Sequence, residues 1–347
     1  MNTAIYIERK FFKKEYSRSL FPIFKYSKQN QNIELRSTLD FAFNLTEDFS
    51  KGDFAILPLD WSCYFRVKEQ IKVVKWCEEV AKIGKPLLSF TGGDYGISVP
   101  TPENVILYRT GGYTSRLRPQ EKVIPVFFSD PIQGFFQGNQ GNVLGRAPHT
   151  KPVIGFCGMA PSDWWTRIKE PTKTWLRNIA GSIGYHPFDA QEVRSTSALR
   201  SRILSRLQRS KQLDTCFIIR QHYRAGAETA KERRQTTLEY YHNQLESDLN
   251  VCVRGGGNFS VRFYETLAMG RIPLFCDTDS PLPEIDGNWD DHIIRFTPKD
   301  IPDLPDLTMQ WLKDKDMQDV FRRNRKLWEE QLSLQGFWRN ELNRYIQ

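Results

Sequence analysis

The chain has 347 residues, 39% of them apolar and 13% aromatic, which is ample for packed cores and argues against extensive disorder. Its 49 Lys and Arg against 41 Asp and Glu leave a net charge of +8, which suits a nucleotide diphosphate, an anionic saccharide, a lipid phosphate or a nucleic acid. The opening residues lack the apolar core of a secretory signal, and no run approaches the ~20 apolar residues of a membrane span. A cytoplasmic location is therefore expected, with the inner face of the membrane left open.

Residues 3–8 read as a first strand. Residues 10–31 then mix bases with Phe11, Phe12, Tyr16, Phe21, Phe24 and Tyr26, read as core or membrane-surface contacts ahead of stacking platforms. A second strand, Asp53–Pro58, ends in Leu59-Asp60-Trp61. Val67, Ile71, Val74, Cys77 and Ala81 recur at helical spacing, and Gly84 closes that helix. Strands follow at Pro86–Phe90, Val105–Tyr108 and Val123–Phe128. Strands alternating with helices predict a parallel α/β sheet. The loop Thr91-Gly-Gly-Asp-Tyr-Gly96 leaves the end of a strand, where Asp94 is placed to act as a general base on a hydroxyl. A Gly-Asp turn would use the same residue structurally, and both readings stand. Asp60 is the alternate base and His149 a weaker one.

The stretch from Gly134 to His149, with Asn139, Asn142 and Pro148, has little periodicity and reads as a domain boundary, giving a first unit over 1–150. A fresh strand, Pro152–Cys157, runs into Gly158, whose loop is read either as passing close to a ligand or as a plain turn. A helix is expected over 173–183. In Arg194–Lys211 an apolar stripe (Leu199, Ile203, Leu204, Leu207) carries Arg194, Arg200, Arg202, Arg206 and Arg209 outside it. That is read as a solvated face, with a polyanion or membrane surface second. Thr215–Ile219 reads as a buried strand, with Arg220 and Arg224 after it as phosphate or sugar candidates. Six scattered cysteines show no Cys-x-x-Cys, and Cys157, Cys216, Cys252 and Cys276 fall in apolar runs, which predicts buried reduced thiols.

After a charged helix over Ala230–Leu245 comes the most informative stretch. A strand (Leu249–Val253) meets a loop of three glycines (Gly255, Gly256, Gly257), a helix capped by Asn258 or Ser260, a stop at Gly270 and a strand (Ile272–Cys276). Parallel strands joined this way place the loop at the carboxyl edge of the sheet, where α/β folds bind ligands. Glycine backbone and a helix amino end favour a phosphate, and Arg254 and Arg262 add cationic forks. Glu265 shares a face with Arg262. It suits a ribose diol, or else a surface ion pair worth about 0.2–0.5 kcal/mol.

Residues Arg254 to Pro273, and the run on to about Asp279, resemble the signature of the exostosin-like glycosyltransferases, family 47, of a bacterial cytosolic type. The resemblance implies an α/β fold of GT-B-like form, two Rossmann-like domains with parallel sheets facing a central cleft. A nucleotide-sugar donor, expected to be a UDP-sugar, would lie on residues 151–316, and a terminal helix in 317–347 would cross back to the first domain. It implies metal-independent inversion at the anomeric carbon, a hexosyl or pentosyl transfer to a saccharide or lipid-linked saccharide, as in polysaccharide biosynthesis. Arg254, Arg262 and Glu265 become donor-site residues, with Arg220, Arg224, Gly255, Gly256, Gly257, Asn258 and Ser260 beside them. Asp277-Thr-Asp279 is the kind of string that holds a divalent ion in the other glycosyltransferase architecture. Here no metal is expected, and the string is read as a loop near the donor sugar. No nucleic-acid module and no zinc spacing appear. Val320, Phe321, Leu327, Trp328, Leu332, Phe337 and Trp338 anchor the tail, whose cations Arg322, Arg323, Arg325 and Lys326 leave peripheral membrane association open. The competing functions are a non-catalytic polyanion-binding protein and another sugar-nucleotide enzyme such as an epimerase.

Overall fold

The computed structural model describes residues 3–29, 32–41, 43–99, 101–137, 144–161 and 163–345. Strand β1 (Ala4–Ile7) precedes an antiparallel hairpin, β2 (Phe24–Gln29) and β3 (Asn32–Ser37), then β4 (Asn44–Thr46) and β5 (Phe54–Ile56). Helices α1 (Trp61–Arg66) and α2 (Gln70–Lys82) lead to β6 (Leu87–Thr91), β7 (Val105–Arg109), β8 (Glu121–Val123) and α3 (Pro131–Phe135). Six of these strands form one parallel sheet in the order β4-β1-β5-β6-β7-β8. The hairpin is not legible as alternation, because bases interrupt it. Phe11, Phe21 and Phe24 are nevertheless core residues of this half, and the Tyr26 side chain lies outside the described set. Strand β8 stops at Val123 rather than running to Phe128, since Pro125 has no N–H to give the ladder.

The second sheet is built from β9 (Val153–Met159), α4 (Trp164–Ser182), α5 (Thr196–Gln208), β10 (Asp214–Arg220), α6 (Ala230–Glu246), β11 (Leu249–Cys252), α7 (Val261–Ala268), β12 (Ile272–Cys276) and β13 (Ile294–Phe296). Its order is β10-β9-β11-β12-β13, again all parallel. Strand β10 was expected to be buried. It ends the sheet with β9 as its neighbour there, and Cys216 on it is exposed, whereas Cys157, Cys252 and Cys276 are buried. Helix α4 begins nine residues earlier than its periodicity predicts. Asp163 caps it by accepting from Thr166 N at 2.9 Å, and Pro171 inside it masks the pattern. The expected boundary falls partly on 138–143, including Asn139 and Asn142, outside the described residues.

Helices α8 (Leu304–Leu312), α9 (Met317–Leu327) and α10 (Leu334–Asn343) close the chain. Val320 and Phe321 of α9 pack under the second sheet, while Phe337, Trp338 and Leu342 of α10 enter the core of the first. Glu341 of α10 accepts from Lys122 Nζ (2.7 Å) and Tyr108 Oη (2.6 Å), fastening the helix there. Among the described residues no helix is long and apolar enough to cross a membrane.

In both sheets the strand order changes direction beside the first strand, so each has a switch point, between β1 and β5 and between β9 and β11. Crevices at such points are where open α/β sheets hold ligands. The carboxyl ends of the two sheets meet: the loop after β11 touches the loop after β6, and Asn258 Nδ2 donates to Gly112 O at 2.9 Å. These are two Rossmann-like units with parallel sheets facing a central cleft, the GT-B-like class.

Candidate functional site

Strand β11 must end at a loop before α7 can return, and Val253–Ser260 is that loop. Its fold is held by Gly255 N donating to Phe259 O at 3.1 Å. Asn258, wholly buried, acts as a rivet. Its Nδ2 faces the carbonyls of Gly112, Thr278 and Asp279 at 2.9–3.0 Å, and its Oδ1 accepts from Thr278 Oγ1 and Ser280 Oγ at 2.6 and 2.8 Å. It therefore neither caps α7 nor faces a ligand; its amide is used up. Ser260 occupies the cap position but makes no side-chain cap bond; Phe263 N reaches Ser260 O at 3.2 Å, and no side chain caps the first turn of α7. Gly257 lies so close to the first unit that a Cβ on it would overlap the Asp94 carbonyl. Glycine is required there by contact, not by φ.

Around this loop the two units enclose a cavity of about 480 Å³. Its walls include Gly158, Arg200, Arg220, His222, Arg224, Gly255, Gly256, Gly257, Ser260, Arg262 and Glu265 from the second unit and Asp94 from the first. The loop is thus at a crevice rather than sealed in a core. Gly158, at the end of β9, has no room for a side chain: a Cβ would stand 2.9 Å from Arg262 Nη2. Arg262 spans the switch point, donating to Cys157 O (2.7 Å) and Val251 O (3.3 Å) and lying 4.3 Å from the Phe156 ring centroid. A guanidinium has five N–H donors, so two bonds leave a fork for an anion.

Glu265 accepts from Tyr240 Oη at 2.5 Å and Tyr241 Oη at 3.3 Å. The surface ion pair weighed for Glu265 and Arg262 does not form; each has other partners. Burial raises the Glu265 carboxyl above its usual range, against the opposing pull of the Tyr240 hydrogen bond and the Arg262 charge. Arg220 is paired with Glu239 at 2.5 Å and donates to Thr236 O at 2.8 Å, so part of its charge is already met. Arg224 sits with φ +51 and Ala225 with φ +55, left-handed backbone costing about 1–2 kcal/mol per residue and held by the turn after β10.

Several sequence-read residues have other positions than expected. Arg254 is buried and turned from the glycine cavity. Its Nη2 donates to Gln191 Oε1 (2.8 Å) and its Nη1 to Tyr113 Oη (3.2 Å), tying the two units beside an adjoining cavity of about 310 Å³. Asp60 is structural: it caps α1 through Ser62 N (2.6 Å) and accepts from Gly92 N, so both oxygens are engaged. His149 pairs with buried Asp248 at 2.9 Å, away from the cavity walls. Asp277 pairs with Arg295 at 2.8 Å, and Asp279, at φ +62, accepts from Ser115 Oγ at 2.5 Å. Asp279 fastens its loop to the first unit, and neither carboxylate lines the cavity. Asp94 does line it, but exposed rather than desolvated. A Cβ on Gly256 would stand 3.8 Å from Asp94 Oδ2. Among the described residues no cluster of three or more metal-ligating side chains occurs.

Arg200, read as part of a solvated stripe, is the residue that the sequence hides. It fronts both cavities, donating to Arg254 O (2.8 Å) and Met159 O (3.2 Å), and burial lowers its guanidinium to about 10. His222 on the cavity wall was also unforeseen. Its only signal was position after a strand end.

No protein-family model matches the chain, and no curated protein does. Neither comparison supports the exostosin-like resemblance of residues 254–279. Among solved structures the chain is similar to spinosyn rhamnosyltransferase SpnG complexed with thymidine diphosphate, at TM-score 0.36 and 11% identity over 84% of this chain and 73% of that one. SpnG alone gives TM-score 0.35 and 12% identity over 85% and 73%, and MurG of Acinetobacter baumannii gives 0.33 and 11% over 85% and 74%. At these scores the likenesses carry no weight.

Proposed function

We propose that the chain is an inverting glycosyltransferase moving a sugar from a nucleoside diphosphate, UDP by the resemblance, to a saccharide hydroxyl. Residues 1–150 form the acceptor side, 151–316 the donor side, and 317–347 return to the first. The observation that carries the reading is one cavity with two unlike walls. One has glycine backbone, an uncapped helix start and the Arg200 and Arg262 forks; the other has a carboxylate, Asp94. The diphosphate lies against the first wall and the ribose toward Glu265. Asp94 takes the proton of the acceptor hydroxyl, whose oxygen bonds to the anomeric carbon as the opposite bond to the diphosphate breaks. Guanidinium groups and N–H dipoles neutralise the leaving charge in place of a divalent ion.

The magnitudes are sufficient. A charge-assisted hydrogen bond contributes about 1.5–3 kcal/mol, and micromolar affinity needs about −8 kcal/mol, so two or three such bonds with ribose and base contacts suffice. Calorimetric titration with UDP tests this. Arg262→Gln should weaken binding by about 10- to 100-fold, one charge-assisted bond. No binding of any nucleoside diphosphate to the parent, with no transfer from a panel of their sugars, removes the proposal.

A further inference from the structure

Helix α4 is built inside out. In an amphipathic helix of a globular protein the apolar stripe faces the core. On α4 no residue is buried; Trp164 (59% exposed), Trp165 (63%), Ile168 (54%), Trp175 (53%) and Leu176 (56%) face solvent on one side. Ile179 continues the stripe, and Ile183 and Tyr185 extend it past the helix end at 77% and 84%. By the 3.6-residue period Glu170, Lys173, Thr174 and Arg177 fall on the opposite side, and these line the adjoining cavity. Polar contacts hold that side to the body. Glu170 accepts from Ser195 Oγ (2.8 Å) and Ser197 Oγ (2.5 Å), Asn178 donates to Gln191 O (2.7 Å), and the Arg177 guanidinium lies 3.5 Å from the Tyr95 ring centroid.

We infer that α4 seats the protein on an anionic lipid bilayer. The composition of the face is that of a membrane interface, where Trp and Tyr place a flat apolar ring and a polar N–H or O–H at headgroup level. Trp164 and Trp165 are already stacked, ring centroids 3.9 Å apart. The charges at its edges match such a surface: Arg167 on one side and Lys169 on the other, both exposed, with no acid on the face. A second copy packed parallel along α4 would set the same cations against each other, whereas anionic headgroups meet both. This inference does not depend on the transferase reading.

The test is co-sedimentation of the full chain with phosphatidylcholine vesicles with and without phosphatidylglycerol. Binding should require the anionic lipid and weaken with salt. Brominated phosphatidylglycerol should quench tryptophan fluorescence of the unaltered protein. The combined change Trp164→Gln, Trp165→Gln, Trp175→Gln should abolish binding with little change in melting temperature, because each of these rings is more than half exposed. Arg167→Gln should weaken binding about fivefold, the share of one cation near an anionic surface. Absence of quenching, binding that survives the triple change, or a dimer that the triple change dissolves would each overturn the inference. Quenching in the unaltered protein decides the matter even if the triple variant misfolds.

Discussion

Two loops meet across the cleft, Thr91–Gly96 after β6 and Val253–Ser260 after β11, and they solve one problem differently. Both leave the carboxyl end of a parallel strand, both are rich in glycine, and each is pinned by one buried polar side chain. Asp60 pins the first through Gly92 N, and Asn258 pins the second through Gly112 O and its own neighbours. The first loop keeps a carboxylate, Asp94, exposed at the cavity; the second offers glycine backbone, with Arg262 of α7 just beyond it. Pinning residues and the residues proposed to react are therefore separate side chains on both sides.

The contrast breaks most severely at Gly257. Gly257→Ala drives a methyl into the Asp94 carbonyl and should part the loops, abolishing transfer and costing about 1–3 kcal/mol as overpacking in thermal unfolding. Gly93→Ala, at φ +77 with open space around it, should cost only about 1–2 kcal/mol of backbone strain and spare the contact. Next in size, Asp94→Asn should lower kcat by about 10²–10⁴ while nucleotide affinity and melting temperature hold. Asp60→Ala should do the reverse, losing about 1–2 kcal/mol of stability with its cap and its Gly92 bond. Equal kinetic effects would erase the division between pin and base.

The smallest effect is at Glu265. Because burial raises its folded pKa, the folded protein holds that proton more tightly than the unfolded chain. Stability therefore falls as pH rises from the ordinary carboxyl range through the raised value. Glu265→Gln removes this loss. Its melting temperature should exceed the parent's at pH 7 and match it at pH 4, and an equal difference at both pH values would refute the assignment.

Much of the fold was legible because apolar runs and glycines are local signals. The strand expected at Ile272–Cys276 is β12 residue for residue, and the three-glycine loop falls between β11 and α7. What the residues do there was less legible. Arg254 sits beside the glycines in sequence, yet its partners, Tyr113 and Gln191, lie far off in the chain and turn it aside. Asn258 reads as a cap until Gly112 arrives from the other unit. Arg200 reads as a solvated base because the carbonyls it meets, of Met159 and Arg254, belong to other elements. Local pattern places a backbone; only the long-range partner decides where a long side chain points.

The two-sided helix α4 also sets a length. A helix with its side chains is about 10–12 Å across, so a bilayer under its tryptophans would lie about that far from Lys173 and Arg177 on the far side. A molecule still rooted in the lipid could bring only its first phosphate or sugar units level with those cations. Distance from the bilayer, rather than a specific grip, would then decide which part of such a molecule meets those cations.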